Sequence, residues 1–245
     1  MAATASADWA QEDKRRLLHA VYRVGDLNKT IEVYQKAFGL KLLRSRDVPD
    51  EKYSNAFLGY GPEEDHFAFE LTYNYGKDSY DIGEGFGHFA IATNDVYKLS
   101  KDIKKAGGNI TREPGPVKGG DLDRSIDFYT RVLGLKLIRK RDNPEYKYTL
   151  AFLGYKGDES AETVFELTYN WGRDSYTKGD AYAQVAISTE DVYKTGDQIK
   201  AAGVSLLKEP GPLPGLGTKI LSLTDPDGYK IVFVDTADFL KELEK

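Results

Sequence analysis

No cysteine occurs in the 245 residues, and histidine occurs only three times. The first absence rules out disulfide stapling and thiolate chemistry, so any metal must be held by His, Glu, Asp, Gln or water. The second allows each imidazole to be weighed individually. No run approaches the roughly 18 consecutive apolar residues a membrane helix needs. The first sixteen residues, MAATASADWAQEDKRR, also lack the apolar stretch of a secretory signal. A soluble, cytoplasmic chain with no membrane partner is expected. Its 39 acidic and 34 basic residues are interspersed, with a net charge of −5 and no basic stripe, so nucleic acid is not an expected partner. Nucleophilic serine motifs, phosphate-cradling glycine loops and dinucleotide fingerprints are likewise missing.

What is present is a duplication. Gly25 to Tyr60 aligns without a gap on Gly120 to Tyr155 at an offset of 95. After one extra residue, FELTYNYGKDSY (Phe69 to Tyr80) meets FELTYNWGRDSY (Phe165 to Tyr176), and DVYK and EPGP recur at an offset of 96. The copies differ at their join. Before its GDL the first copy has the strand-like LLHAVYRV, Leu17 to Val24, for which the second has no counterpart. After its EPGP the second copy continues through TKILSLTDPDGYKIVFVD, two β-type runs around the turn Asp225-Pro226-Asp227-Gly228, whereas the first stops at Lys118-Gly119-Gly120. Restoring the missing pieces from the other copy would insert roughly 35 residues. The expected organisation is a tail (1–16), a first module lacking its closing strands (17–119) and a second lacking its opening strand (120–245).

Leu27, Ile31, Tyr34 and Phe38 fall at helical spacing behind Asp26, a fitting N-cap, and before Gly39, a fitting terminator. Asp95 to Ala106 repeats the pattern. Leu40 to Arg46, Tyr53 to Tyr60 and Phe67 to Tyr75 have the β-branched and aromatic content of antiparallel strands. The motif is βαβββ. The fold class expected is α+β, with repeated βαβββ motifs paired into cup-like sheets and the inner cup incomplete.

His19 shares a strand face with Val21 and Arg23, and a lone strand histidine is more often packed than ligating. His88 sits in GFGHFAIAT, read as a strand flanked by close-approaching glycines. His66 lies beside Glu63, Glu64 and Asp65 in a loop, read as a solvated charge cluster. Glu70 and Glu166 occupy matching places in FELTYN; alternation permits either a solvent-facing carboxylate or one pointing into the cup as ligand or base. Asn74 and Asn170 lie on the same faces. Gln184 takes the place of His88 in the second copy, and its amide oxygen can still coordinate.

Taken in order, LLHAVYRVGDL, FYTRVLGLKLIRKRDNPEYKY, FELTYNWG, GFGHFAIAT, TREPGPVKGG and DPDGYK resemble glyoxalase I, the lactoylglutathione lyases, and above all the fused two-module plant form of the vicinal-oxygen-chelate superfamily. The resemblance runs from Leu17 to the C-terminus. It implies a metal-assisted isomerisation of the methylglyoxal–glutathione hemithioacetal to S-lactoylglutathione, using nickel or zinc. It assigns His19, Glu70 and Gln184 to one metal site, with Val232 where a fourth, carboxylate ligand belongs. His88 and Glu166 go to the other site, whose remaining ligands would lie in the missing block. Glu70 and Glu166 are then the proton-moving carboxylates, and Arg23, Asn74 and Asn170 hold the glutathione moiety. On that reading His19, Glu70 and Gln184 converge, the inner site is broken, and turnover by this chain is weak or absent. An open sheet edge would favour oligomers. Two rival functions stay open: a non-catalytic module binding glutathione conjugates, and another metal-dependent isomerase or dioxygenase of the same fold.

Overall fold

The helix expected after Gly25 forms as α1 (Leu27–Phe38). Asp26, itself extended, turns its carboxylate back onto the Lys29 amide, and Gly39 ends the helix at a left-handed φ of 70°. The structure, a computed structural model, describes residues 12–106, 122–173, 175–214 and 216–244. The junction at Lys118-Gly119-Gly120 and the first EPGP lie outside the described residues.

The chain divides into two units, each taking a piece from the other's half of the sequence. The first comprises 19–117 and 176–183; the second comprises 1–18, 118–175 and 184–245.

In the first unit β2 (Lys41–Val48), β3 (Tyr53–Gly59), β4 (Ala68–Asn74) and β1 (Leu17–Arg23, of which His19 onward belongs here) lie side by side in that order. The β2–β3–β4 meander is antiparallel and β1 joins β4 in parallel. Leu40, Ala56, Leu58, Phe69 and Leu71 form the core on one face, covered by Leu27, Ile31, Tyr34 and Phe38 of α1. The helical spacing read from the sequence is thus the spacing that meets the sheet. A second helix, α2 (Val96–Lys105), is capped by Asp95.

One expected strand is not there. Residues 86–93 of GFGHFAIAT have no regular structure, and His88 is exposed. Phe86 and Phe89 pack instead into an aromatic cluster, with ring centres 5.3 Å (Tyr22–Phe86) and 4.7 Å (Phe69–Phe89) apart. The physical reason lies in the second copy, where the matching segment is a strand because a neighbour supplies its ladder bonds. Among the described residues none does so for 86–93.

The second unit holds two sheets. One is β5 (Lys136–Asn143), β6 (Tyr148–Gly154) and β7 (Phe165–Asn170), backed by α3 (Asp123–Asp127) and the π-turn Phe128–Val132 that continues it. The other has β8 (Tyr182–Thr189), β11 (Lys230–Asp235), β10 (Lys219–Thr224) and β9 (Lys208–Pro212) in that order, with helices α4 (Val192–Ala201) and α5 (Thr236–Leu243). The Asp225–Gly228 turn joins β10 to β11 as expected, with Gly228 at φ 83°. Gly196 brings α4 close to the sheet: a Cβ there would lie 2.6 Å from Pro210.

A polar anchor ties residues 12–18 into this second unit. Asp13, fully buried, accepts from Arg15 Nε (2.7 Å), Thr189 Oγ1 (2.6 Å) and the Glu190 amide (2.6 Å). Arg15 also donates to the Leu133 carbonyl at 2.9 Å and lies over the Phe233 ring. No described helix is long and apolar enough to cross a membrane.

Candidate active site

Alternation along β1 puts His19, Val21 and Arg23 on the face opposite the α1 core. The parallel register, His19 opposite Ala68 and Val21 opposite Glu70, lays Glu70 beside His19 on that face. His19 Nε2 and Glu70 Oε2 are 3.2 Å apart, both largely buried. Glu70 Oε1 is pinned by the Asn55 amide, Nδ2 donating at 2.9 Å, with Thr72 Oγ1 at the weak limit of 3.5 Å. The His19 ring meets Phe57 edge-on, with centres 5.6 Å apart. Of the two orientations the sequence left open for Glu70, the structure takes the inward one.

Burial pushes the Glu70 carboxyl above the ordinary carboxylate range, because its charge loses water. The Asn55 hydrogen bond, the Arg44 and Arg46 charges and Thr72 oppose that shift. The result is a carboxylate whose ionisation is held in check by burial and favoured by its neighbours, the two-sided environment of a group that can exchange a proton.

The loop holding His66 contains a correction. Glu63 is not solvated: it is buried and clamps Arg44 in a bidentate pair, with Nε to Oε1 at 2.7 Å and Nη2 to Oε2 at 3.1 Å. The guanidinium lies 3.5 Å over the Phe57 ring. Arg44, Asn55, Phe57 and Glu63 were missed as site residues, although the duplication offered a signal. Arg139 stacks on Phe152 at 3.8 Å and pairs with Glu159 through two bonds of 2.9 Å, so the whole clamp is repeated.

Arg23 stands at the end of β1, half-buried, and donates to the Asp180 carbonyl at 2.7 Å. Asn74 donates to Tyr80 Oη at 2.7 Å. In the second unit, Gln184 is half-buried on β8 and Val232 is 2% exposed on β11, packed with Leu18, Ala186, Ile220, Val234 and Phe239. Glu166 sits half-buried on β7 opposite Phe152, with Asn170 at the strand's end. His88 lies in the irregular exposed segment of the first unit.

Among the described residues no group of three or more His, Asp or Glu gathers closely enough to hold a metal by itself. His19 and Glu70 nevertheless have the spacing of two cis ligands. Metal bonds of about 2.0–2.2 Å meeting near a right angle or a tetrahedral angle leave the donors roughly 3.0–3.4 Å apart. The nitrogen–oxygen donor pair suits a borderline divalent ion.

Comparison with known proteins bears on these residues. The model of the Glyoxalase/Bleomycin resistance protein/Dioxygenase superfamily matches twice, over residues 16–121 and 117–233. The chain is 58% identical to a lactoylglutathione lyase of Oryza sativa subsp. japonica, covering 97% of this chain and 95% of that protein. It is 54% identical to a lactoylglutathione lyase of Arabidopsis thaliana, covering 97% of each. The crystal structure of glyoxalase I from Zea mays matches at 56% identity with a TM-score of 0.92, covering 97% of this chain and 98% of that one. The rice alignment spans 277 positions, so at least 32 of them have no counterpart among these 245 residues.

Proposed function

Because the chain belongs to the plant-type glyoxalase I family of lactoylglutathione lyases, we propose that it isomerises the methylglyoxal–glutathione hemithioacetal to S-lactoylglutathione. The observation that carries the assignment of the site is the His19–Glu70 pair, 3.2 Å apart and anchored by Asn55. His19 and Glu70 would hold a divalent ion, nickel or zinc. Such an ion, when bound, stabilises negative charge developing on the substrate oxygens.

The chain's own residues do the rest. The reaction moves a hydrogen between adjacent carbons, so a carboxylate must take a proton from one carbon and return it to the next. Glu70 is that group: burial keeps its proton affinity high, and Asn55 fixes one oxygen so that the other faces His19. Arg44 and Arg46 keep the anionic form accessible between the two transfers. Arg23 and Asn74 would hold the glutathione moiety. Val232 offers no ligand at the position where the family resemblance implies a carboxylate. We therefore expect turnover below that of relatives with complete shells.

The test is thioester formation from methylglyoxal and glutathione by the purified 245-residue chain. Slow turnover is expected, abolished by chelator, restored by nickel or zinc, and lost in Glu70→Gln. A folded chain inactive at every metal loading, or one whose turnover survives Glu70→Gln, would overturn the assignment.

A further inference from the structure

The hexapeptide FELTYN occurs twice, and its two copies have different neighbours. In β4 (Phe69 to Asn74) it is flanked on both sides: β3 takes one edge and β1 the other, with Ala20, Val21, Tyr22 and Arg23 opposite Phe69, Glu70, Leu71 and Thr72. The Val24 amide donates to the Thr72 carbonyl at 2.9 Å. Each strand residue points its N–H and C=O to the same side, alternating along the chain. Glu70 and Thr72 therefore serve β1, while Phe69, Leu71 and Tyr73 serve β3.

In β7 the same six residues form the last strand of a three-stranded sheet. Among the described residues, Phe165 to Tyr169 make their ladder bonds to β6 alone. By the same alternation, the amides and carbonyls of Glu166 and Thr168 face the open edge. Exposure agrees: Leu71 is 0% exposed and Phe69 7%, whereas Leu167 and Phe165 are only half-buried.

We propose that the free edge of β7 is a β-augmentation site for an extended peptide segment running parallel to it, with apolar or aromatic side chains at alternate positions. The first unit specifies the occupant. A strand of the β1 pattern would set the equivalents of Ala20 and Tyr22 beside Phe165 and Leu167, on the apolar face. Its amides at the equivalents of Tyr22 and Val24 would reach the carbonyls of Glu166 and Thr168. Main-chain bonds supply the affinity and the alternate apolar side chains the selectivity.

The experiment is amide hydrogen exchange on the full chain, followed by NMR, with a synthetic peptide of this chain's own Arg16–Asp26 sequence. Without peptide, Glu166 and Thr168 should exchange at least tenfold faster than Leu167 and Tyr169. The peptide should slow those two amides at least tenfold, and a peptide carrying Tyr22→Pro and Val24→Pro should not. The proline peptide leaves the protein untouched, so a folding defect cannot mimic the result. Failure of the first peptide to protect, or equal protection by both, overturns the proposal. Protection already present without peptide also overturns it: if lost on dilution, the occupant is a second copy, and if independent of concentration, the chain itself covers the edge.

Discussion

Asn55 and its counterpart Leu150 stand two positions along the neighbouring strand from the residues paired with Glu70 and Glu166, and only Asn55 can donate to a carboxylate there. A hydrogen bond to a charged group is worth about 1.5–3 kcal/mol. Asn55→Leu, a change the second copy tolerates, should therefore lower kcat/KM about tenfold. It removes an interaction that favours the anion, so the Glu70 pKa rises and the acid limb of the pH–rate profile moves to higher pH; an unmoved limb would separate Asn55 from proton transfer. The duplicated clamp gives a second residue-scale contrast. Glu63 and Arg44 are 5% and 22% exposed, Glu159 and Arg139 32% and 43%. Removing one partner of a buried pair leaves an uncompensated charge, so Glu63→Ala should cost about 3 kcal/mol in denaturant unfolding. Glu159→Ala should cost about 1 kcal/mol or less. The sequence made Glu70 a candidate but left its direction open, because strand alternation defines two faces without saying which one is covered. Position 55 was legible only as a difference between copies, and its meaning needed the cross-strand register.

Elements announced by local chemistry were readable in advance. The Asp26 cap, the Gly39 stop and the Asp225–Gly228 turn depend on neighbours in sequence, and all three are where the letters put them. GFGHFAIAT was misread as a strand because a strand depends on a partner that no local pattern reveals. The same dependence separates the two equivalent helices. Val192 and Ile199 of α4 are 0% and 1% exposed beneath their sheet, whereas Val96 of α2 is 45% exposed. Helical stability in proteins comes mostly from a packed apolar face. Native-state hydrogen exchange should thus find α2 opening at a lower free energy than α4, despite their matching aspartate caps, and equal protection would show α2 to be buried in solution.

At the scale of the whole molecule, sequence repeats and spatial units do not coincide: residues 1–18 join the second unit and 176–183 the first. The repeat was legible as two consecutive modules, and the exchange was not, because a buried ion pair such as Asp13–Arg15 looks like any exposed charged tail until its partners are known. Asp13→Ala would leave Arg15 buried without its counter-charge. A loss of about 3–5 kcal/mol is expected, read as a lowered midpoint of thermal or denaturant unfolding. A change within 0.5 kcal/mol would mean the anchor carries no stability.

That anchor also bears on synthesis. Asp13 finds Thr189 and Glu190 at separations of 176 and 177 residues. At about 5–20 residues per second, a ribosome needs roughly 10–35 s to deliver these partners after Asp13 itself. Throughout that interval Asp13 lacks the Thr189 and Glu190 groups that hold it in its final arrangement. A segment made early is thus among the last to be secured.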